Sequence, residues 1–402
     1  MIPRVASPGR LAAGVALVST GGAGSLTVSM FLGSFAWAFV FISLPFFVRE
    51  ISPIDPQATL RWTGWIVGVT SLVTVITGPA WGRLAATGDP KRYYVLIQLL
   101  QGLGFLGMAA SRSLLELLGS RIVLGFMGAA STLAFMIAGR DKDRHAVQRQ
   151  VAAIQTAMTI GQILGPLGGA MAAARLGFRA SFVVGAVILL GSAAFVHWGV
   201  DVVGQEGPTV TVPRRARRVD LVTAFSIVLA TSTQMFFLAS VLPQILADLG
   251  VPEGSLVELS GLVIFATAAA AALGALATPH LVTLWPERRL MGILVVAAAA
   301  GVALLAWPRS VGAYTVVRFL QVLCVAPIFP LVVGRTVQRA GGGAIGIVNS
   351  ARIGASFVGP ILATSVLASS SPAGLYGVLA VLGLSCLPLA LRCEPASFST
   401  AA

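Results

Sequence analysis

Charge is what this 402-residue chain has least of: Asp and Glu together number 14, lysine occurs twice, and only 10% of residues are charged. Soluble domains carry roughly a quarter, so the chain is too poor in ionised groups for water to be its main solvent. Histidine is scarce as well, and His145, His197 and His280 lie far apart. The three cysteines, Cys324, Cys386 and Cys393, show no CxxC spacing, so neither a disulfide framework nor a metal site is supported. A phosphate loop of the form G-x-x-x-x-G-K-S/T is missing, and no Ser/His/Asp or paired-carboxylate set stands at catalytic spacing. An enzyme is not expected, nor is a bound cofactor.

What is there instead is apolar. Hydrophobic residues make up 56% of the chain, and the mean hydropathy is +0.90. A membrane-crossing helix needs about 20 mostly apolar residues. Glycines, prolines and charge clusters divide the sequence into twelve such stretches, near 26–48, 62–81, 93–111, 114–138, 151–174, 178–200, 221–247, 258–283, 290–307, 312–334, 345–369 and 373–392. Ahead of them Leu11 to Thr20 is too short to span. It follows Arg4 and Arg10, as in a cleaved signal sequence, although the first span itself suffices to direct insertion.

The formal net charge of +13 raises nucleic acid as a partner, and its distribution decides against it. With the N-terminus inside, 18 of the 27 basic residues fall in inside segments, six fall outside, and Arg121, Arg318 and Arg352 fall within spans. This is the positive-inside asymmetry. It predicts a multi-pass inner-membrane protein with both termini cytoplasmic, and the abundance of Ala, Gly and Arg over Lys suggests a bacterial source. The expected partners are the lipid bilayer and a small-molecule substrate, with the protein a monomer.

Landmarks recur at an offset of 194 to 198 residues. Leu44-Pro45 matches Leu242-Pro243, Gly64 matches Gly261, and Gly78 matches Gly274. Further along, Arg121 matches Arg318, Gly139-Arg140 matches Gly334-Arg335, and Gly165-Pro166 matches Gly359-Pro360. Constant spacing and conserved order predict two pseudo-symmetric six-helix bundles. The boundaries are an N-terminal segment over 1–25, a first bundle over 26–200, a linker over 201–220, a second bundle over 221–392 and a tail over 393–402. Arg214, Arg215, Arg217 and Arg218 in the linker read as an orientation signal touching anionic headgroups, or as a partner-binding run.

Three patches carry chemistry. The first, Gly78-Pro-Ala-Trp-Gly82-Arg-Leu84-Ala85-Ala-Thr-Gly-Asp89-Pro-Lys91-Arg92, resembles the loop motif G-x-L-A-D-R-x-G-R-R/K of the major facilitator superfamily. Gly82, Leu84, Ala85, Lys91 and Arg92 fit, whereas Ala86 stands in place of the motif's Asp. The second, Arg121-Ile-Val-Leu-Gly125, is similar to the family's R-x-x-x-G motif. The third, Gly161-Gln-Ile-Leu-Gly165-Pro166-Leu-Gly168-Gly169, is similar to a signature of exporters and antiporters. The resemblance covers nearly the whole chain and is strongest to the twelve-helix drug:proton antiporters. It implies an all-α integral membrane fold that exports small organic compounds, with a proton gradient as driving force. Arg121 would serve coupling, and the loop with Gly82, Asp89 and Arg92 would gate, Asp89 standing in for the missing acid.

The residues themselves support part of this. Gly161 and Gly165 share one helix face and allow close packing, and Pro166 adds a bend, so the seam suits alternating access or plain tight packing. An ionised Arg121 about 10 Å into its span has to face a cavity, find a partner or snorkel. Arg352 is equally deep and suggests an anion site or an inward gate, or else snorkelling or a pairing with a loop carboxylate such as Asp89. Arg318 reads as the pseudo-symmetric anchor of Arg121. At cavity depth lie Gln155, Gln162, Gln234 and Asn349, with Trp37, Phe41, Phe236 and Phe357 as aromatic candidates. All fourteen acids fall in loops or near span ends, so coupling to protons rests on the resemblance alone. The alternatives are a transporter of an anionic metabolite or siderophore, a non-transporting membrane sensor or assembly factor, and a channel-like facilitator.

Overall fold

A computed structural model describes residues 22–139, 144–200, 218–340 and 344–391. The apolar run at 11–20, the linker arginines before residue 218 and the tail at 393–402 lie outside the described residues. Among the described residues the regular structure is α-helical throughout, apart from one 3-10 turn at Glu253–Ser255. The first half consists of α1 (Gly22–Ile51), α2 (Pro56–Thr87), α3 (Pro90–Ala110), α4 (Leu114–Ala138), α5 (Arg144–Leu176) and α6 (Phe178–Gly199). The second consists of α7 (Leu221–Asp248), α8 (Leu256–Leu284), α9 (Glu287–Leu304), α10 (Val311–Thr336), α11 (Ala344–Ser369) and α12 (Pro372–Leu391).

Eleven of the twelve are long and apolar enough to cross a membrane by length and composition alone. The exception is α9, whose first turn holds Glu287, Arg288 and Arg289. From Leu290 onward it is apolar, and Leu290, Leu294, Val295 and Ala298 are buried in the second half.

The helices outrun the apolar stretches, because hydropathy marks the membrane and capping marks the end of a helix. Asp55 accepts from Gln57 N at 3.0 Å and Ala58 N at 2.9 Å, starting α2 six residues before its apolar stretch. Asp89 does the same for α3 through Lys91 N at 2.9 Å, with Pro90 at the first helical position. Gly177 at φ 84° and Gly250 at φ 79° make the left-handed turns that close α5 and α7.

Odd-numbered helices run away from the face where α1 begins and α12 ends, here the terminal face, toward the opposite, far face. In the first half α1 packs on α5 and α6, α3 on α6, and α2 on α4; in the second, α7 packs on α11, α8 on α10, and α9 on α12. The halves meet through α2 on α11 and α5 on α8.

This junction is one-sided. Toward the far face a single apolar cluster joins Phe46 of α1 to Phe237, Leu242, Leu256 and Leu375 of the second half, with Leu60 and Phe178 packed against it. Toward the terminal face each half has its own cluster, around Tyr94, Leu133 and Val196 in the first and around Leu290, Val348 and Ala390 in the second. There α2 is exposed at Pro79, Ala80, Arg83 and Leu84, and α11 at Asn349. The halves are therefore closed on each other at the far face and parted at the terminal face.

Candidate functional site

On α1, Gly33, Trp37 and Phe41 recur every four residues and so share one face, which lines a cavity of about 360 Å³. Facing them are Gln98 and Gln101 of α3, Thr70 and Thr74 of α2, Ser131 of α4, and Met158 and Gln162 of α5. The cavity belongs wholly to the first half. Its lining is aromatic, thioether, hydroxyl and amide, the mixture of apolar wall and few orienting polar groups that suits a small organic ligand.

The wall is held by polar contacts in layers. The Trp37 indole N–H donates to Gln101 Oε1 at 3.0 Å, and Gln101 donates in turn to the Met127 carbonyl. Met127 sits where α4 breaks into two helical pieces, Leu114–Phe126 and Ala130–Ala138. At the break neighbouring side chains donate to the carbonyls: Gln101 to Met127, Trp81 to Phe126, and Thr74 at 3.0 Å to Gly125, which also accepts from Gly128 N at 3.2 Å. A second network lies on the terminal side. Ser29 Oγ is 2.8 Å from Tyr94 Oη and 2.6 Å from Ser192 Oγ, and Gln98 Nε2 donates to Tyr94 at 2.9 Å. Gln98 Oε1 is buried with no partner.

Arg121 is only 3% exposed, which rules out snorkelling. Its Nε donates to Ile66 O at 3.0 Å and its Nη2 to Val67 O at 2.9 Å, while Thr70 Oγ1 returns a bond to Arg121 O at 2.9 Å. One turn on, a Cβ at Gly125 would lie 2.8 Å from Thr70 O. The Arg121/Gly125 spacing is thus a clamp of α4 on α2, and the guanidinium lies 5.8 Å from the centre of the Trp37 ring. Arg318 clamps a different helix: it donates to Gln234 O and Met235 O of α7 at 2.9 and 2.8 Å and lies 4.9 Å from the centre of the Phe237 ring. The anchors are equivalent in sequence and differ in what they hold.

Of the residues singled out by sequence, Trp37, Phe41 and Gln162 come together in the cavity, and the others lie elsewhere. Gln155 is exposed nearer the terminal face. Gln234 is buried and donates to Leu379 O at 2.9 Å, tying α7 to α12. Phe236 flanks the break in α7, and Phe357 packs edge-on against Trp65 across the junction of the halves. Asn349 is exposed, and Arg352 stacks on Phe329 with the guanidinium 4.7 Å from the ring centre. The three intramembrane arginines therefore do not converge on one anion site.

In the loop patch, Asp89 caps α3 and pairs locally with Arg92 at 3.4 Å, so in this structure it does not reach toward the second half as a substitute gate. Gly82 lies on the parted face, where a Cβ would meet nothing within 4 Å.

The third patch forms the α1–α5 seam. A Cβ at Gly161 would lie 2.7 Å from Phe31 O, one at Gly165 would lie 2.8 Å from Phe35 O, and one at Gly169 would collide with Phe39 O. Pro166 is buried at the junction, its carbonyl 3.0 Å from the Cβ position of Gly261. Gln98 and Gln101 were missed by sequence reading. A four-residue polar spacing from Tyr94 through Gln98 in an apolar stretch was the available signal.

The family model of the Major Facilitator Superfamily matches residues 26–224 and 223–400. Among curated relatives, the multidrug resistance protein MdtG of Yersinia enterocolitica is 32% identical over 178 residues, 41% of this chain and 40% of its own. An uncharacterised MFS-type transporter, YuxJ of Bacillus subtilis, is 26% identical over 166 residues, 40% of each chain. The matched segment thus spans about 40% of the length of these curated relatives. In overall structure the chain is similar to the nucleoside transporter NupG, with a TM-score of 0.71 at 13% identity over 92% of this chain and 98% of that one. It is also similar to the human organic anion transporter MFSD10, with a TM-score of 0.68 at 15% identity over 92% and 98%.

Proposed function

Since this chain belongs to the Major Facilitator Superfamily, we propose that it is a secondary transporter that exports small amphipathic organic molecules from bacterial cytoplasm by alternating access, with protons as the counter-ion. The observation that carries the reading is the one-sided junction. Apolar packing joins the halves at the far face alone, and the cavity lies toward the parted side of the first half. Such a molecule has a second state available in which the halves part at the far face and meet at the terminal face.

The basic residues clustered at the terminal-face loops support placing that face in the cytoplasm of an inner membrane, so this state is the inward-facing one. Export of organic compounds is supported by the likeness to MdtG, a multidrug resistance protein, and by the exporter-like seam of α5. Proton coupling comes from the resemblance to drug:proton antiporters.

The test is flux in proteoliposomes. A fluorescent amphipathic substrate should move against its gradient when a pH gradient is imposed and should stop when the gradient is collapsed by an ionophore. Flux indifferent to the pH gradient would remove the proton-antiport reading, and no flux of any organic solute would remove the transporter reading.

A further inference from the structure

We propose that the cavity of the first half selects uncharged aromatic molecules that carry hydrogen-bond donors, and that it rejects lipophilic cations. The inference rests on the transporter reading above and names the substrate class of that same cavity.

Among the described residues the lining contains no ionisable side chain. Its polar groups are the amides of Gln98, Gln101 and Gln162, the hydroxyls of Ser34, Thr70, Thr74 and Ser131, and the Trp37 indole N–H. An aromatic-lined cavity ordinarily attracts cations through the negative ring face. Here the tryptophan in the wall already has a cation on it: Arg121 lies 5.8 Å from the Trp37 ring centre. That charge is answered by the carbonyl dipoles of Ile66 and Val67. A cation stacked on Trp37 from the cavity side would lie on the order of 9 Å from the guanidinium, where like charges in a protein interior weaken binding about tenfold or more.

Anions fare no better. Two of the Arg121 donors, Nε and Nη2, are spent on α2 carbonyls, and Arg121 does not line the cavity, so a charged ligand there would lose its water with no direct ionic contact in return.

A neutral ring avoids both penalties. It can stack on Trp37 and Phe41 and hydrogen-bond to the amides and hydroxyls of the wall, among them the exposed Gln162. Gln98 is 1% exposed, its amide N–H groups are spent on Tyr94 and Ser192, and its Oε1 has no partner. An unpaired carbonyl behind the cavity wall favours a ligand that supplies an N–H or O–H, because a small turn of the Gln98 side chain toward such a ligand satisfies it. The volume of about 360 Å³ sets the size at the small end of drug-like ligands.

The purified protein in nanodiscs, titrated with radiolabelled chloramphenicol and uridine as neutral probes, tetraphenylphosphonium as the cation and salicylate as the anion, tests this. The expected result is saturable binding of at least one neutral probe, with tetraphenylphosphonium at least tenfold weaker. Gln162→Glu, which places a carboxylate at an exposed position on the cavity wall, should raise tetraphenylphosphonium affinity at least tenfold and leave the fold intact by melting temperature. Tetraphenylphosphonium or salicylate binding to the unaltered protein as tightly as the neutral probes overturns the assignment, as does binding of none of the four. The same probes in proteoliposomes separate the two readings: selective neutral binding without flux leaves the substrate class standing and defeats transport, and flux of cations does the reverse.

Discussion

Gly64 of α2 rests against Pro360 of α11, so that a Cβ on Gly64 would lie 3.0 Å from the Pro360 carbonyl oxygen. The repeat mates make the same contact: a Cβ on Gly261 of α8 would lie 3.0 Å from the carbonyl oxygen of Pro166 in α5. Each half thus presents a glycine to the proline bend of the other, and the two contacts are related by the pseudo-symmetry. Below Gly64, Gly68 meets Phe357, and Ser356 donates to Ser71 at 2.7 Å near the middle of both helices. The far-face junction is a backbone-to-backbone closure that depends on missing side chains.

Gly64→Leu is therefore expected to hold the halves apart at the far face. Its side chain would meet Thr364 and the backbone of Pro360 and Ile361, which cannot rotate away. Transport should fall at least tenfold. A Ser52→Cys reporter in the far-face recess beside Thr59 and Ser240 should label faster with an impermeant thiol reagent when Gly64→Leu is present. Unchanged labelling and flux would show that this contact does not close the protein.

Two adjacent glycines of α5 should respond unequally to alanine. At Gly169 the new methyl would run into the Phe39 carbonyl on α1, part of the backbone. At Gly168 the nearest atom is Phe35 Cζ at 3.1 Å, the free end of a side chain. Overpacking against fixed atoms costs about 1–3 kcal/mol, so Gly169→Ala should lower the melting temperature and the yield of folded protein. Gly168→Ala should stay within about 0.5 kcal/mol of the parent. Equal losses in a thermal melt would mean that the seam is not packed as described.

The repeat was legible because it is written in residues whose role is local: Gly64 and Gly261 permit close approach, and Pro166 and Pro360 bend a helix, wherever the partner comes from. The lengths of α2 and α3 were less legible, since Asp55 and Asp89 cap them in polar segments that hydropathy assigns to loops. The cavity was half legible. Trp37, Phe41 and Gln162 stand out as polar or aromatic residues at membrane depth, but depth does not say which face a side chain takes. Gln234 and Gln98 have similar depth in their helices, yet one ties α7 to α12 and the other walls the cavity. Arg121 and Arg318 were recognisable as mates, while their different targets, α2 and α7, follow from packing that sequence spacing does not encode.

Removing the indole donor should loosen the cavity wall without emptying it. In Trp37→Phe the ring stays, but Gln101 Oε1 loses its 3.0 Å partner, and the relay to the Met127 carbonyl loses its anchor. One neutral hydrogen bond is worth about 0.5–1.5 kcal/mol. Affinity for a neutral aromatic ligand should drop roughly two- to tenfold, with maximal flux less affected, as read in a concentration series of substrate. A mutant that keeps its affinity would place the ligand away from α1.

Arg121 offers the sharpest distinction between a clamp and a coupling group. A clamp acts through its Nε and Nη2 donors to Ile66 O and Val67 O, so it requires the planar fork of a guanidinium. Arg121→Lys retains the charge and loses one of the two directed bonds. Arg121→Ala loses both, at about 1.5–3 kcal/mol for each bond to a charged donor, although the two carbonyls keep their bonds within α2. The expected order of stability in detergent melts is parent, then Lys, then Ala, and flux per folded molecule in Arg121→Lys should retain the pH-gradient dependence of the parent. If Arg121→Lys instead melts like the parent and transports without regard to the gradient, the residue takes part in coupling, and its hold on α2 is secondary.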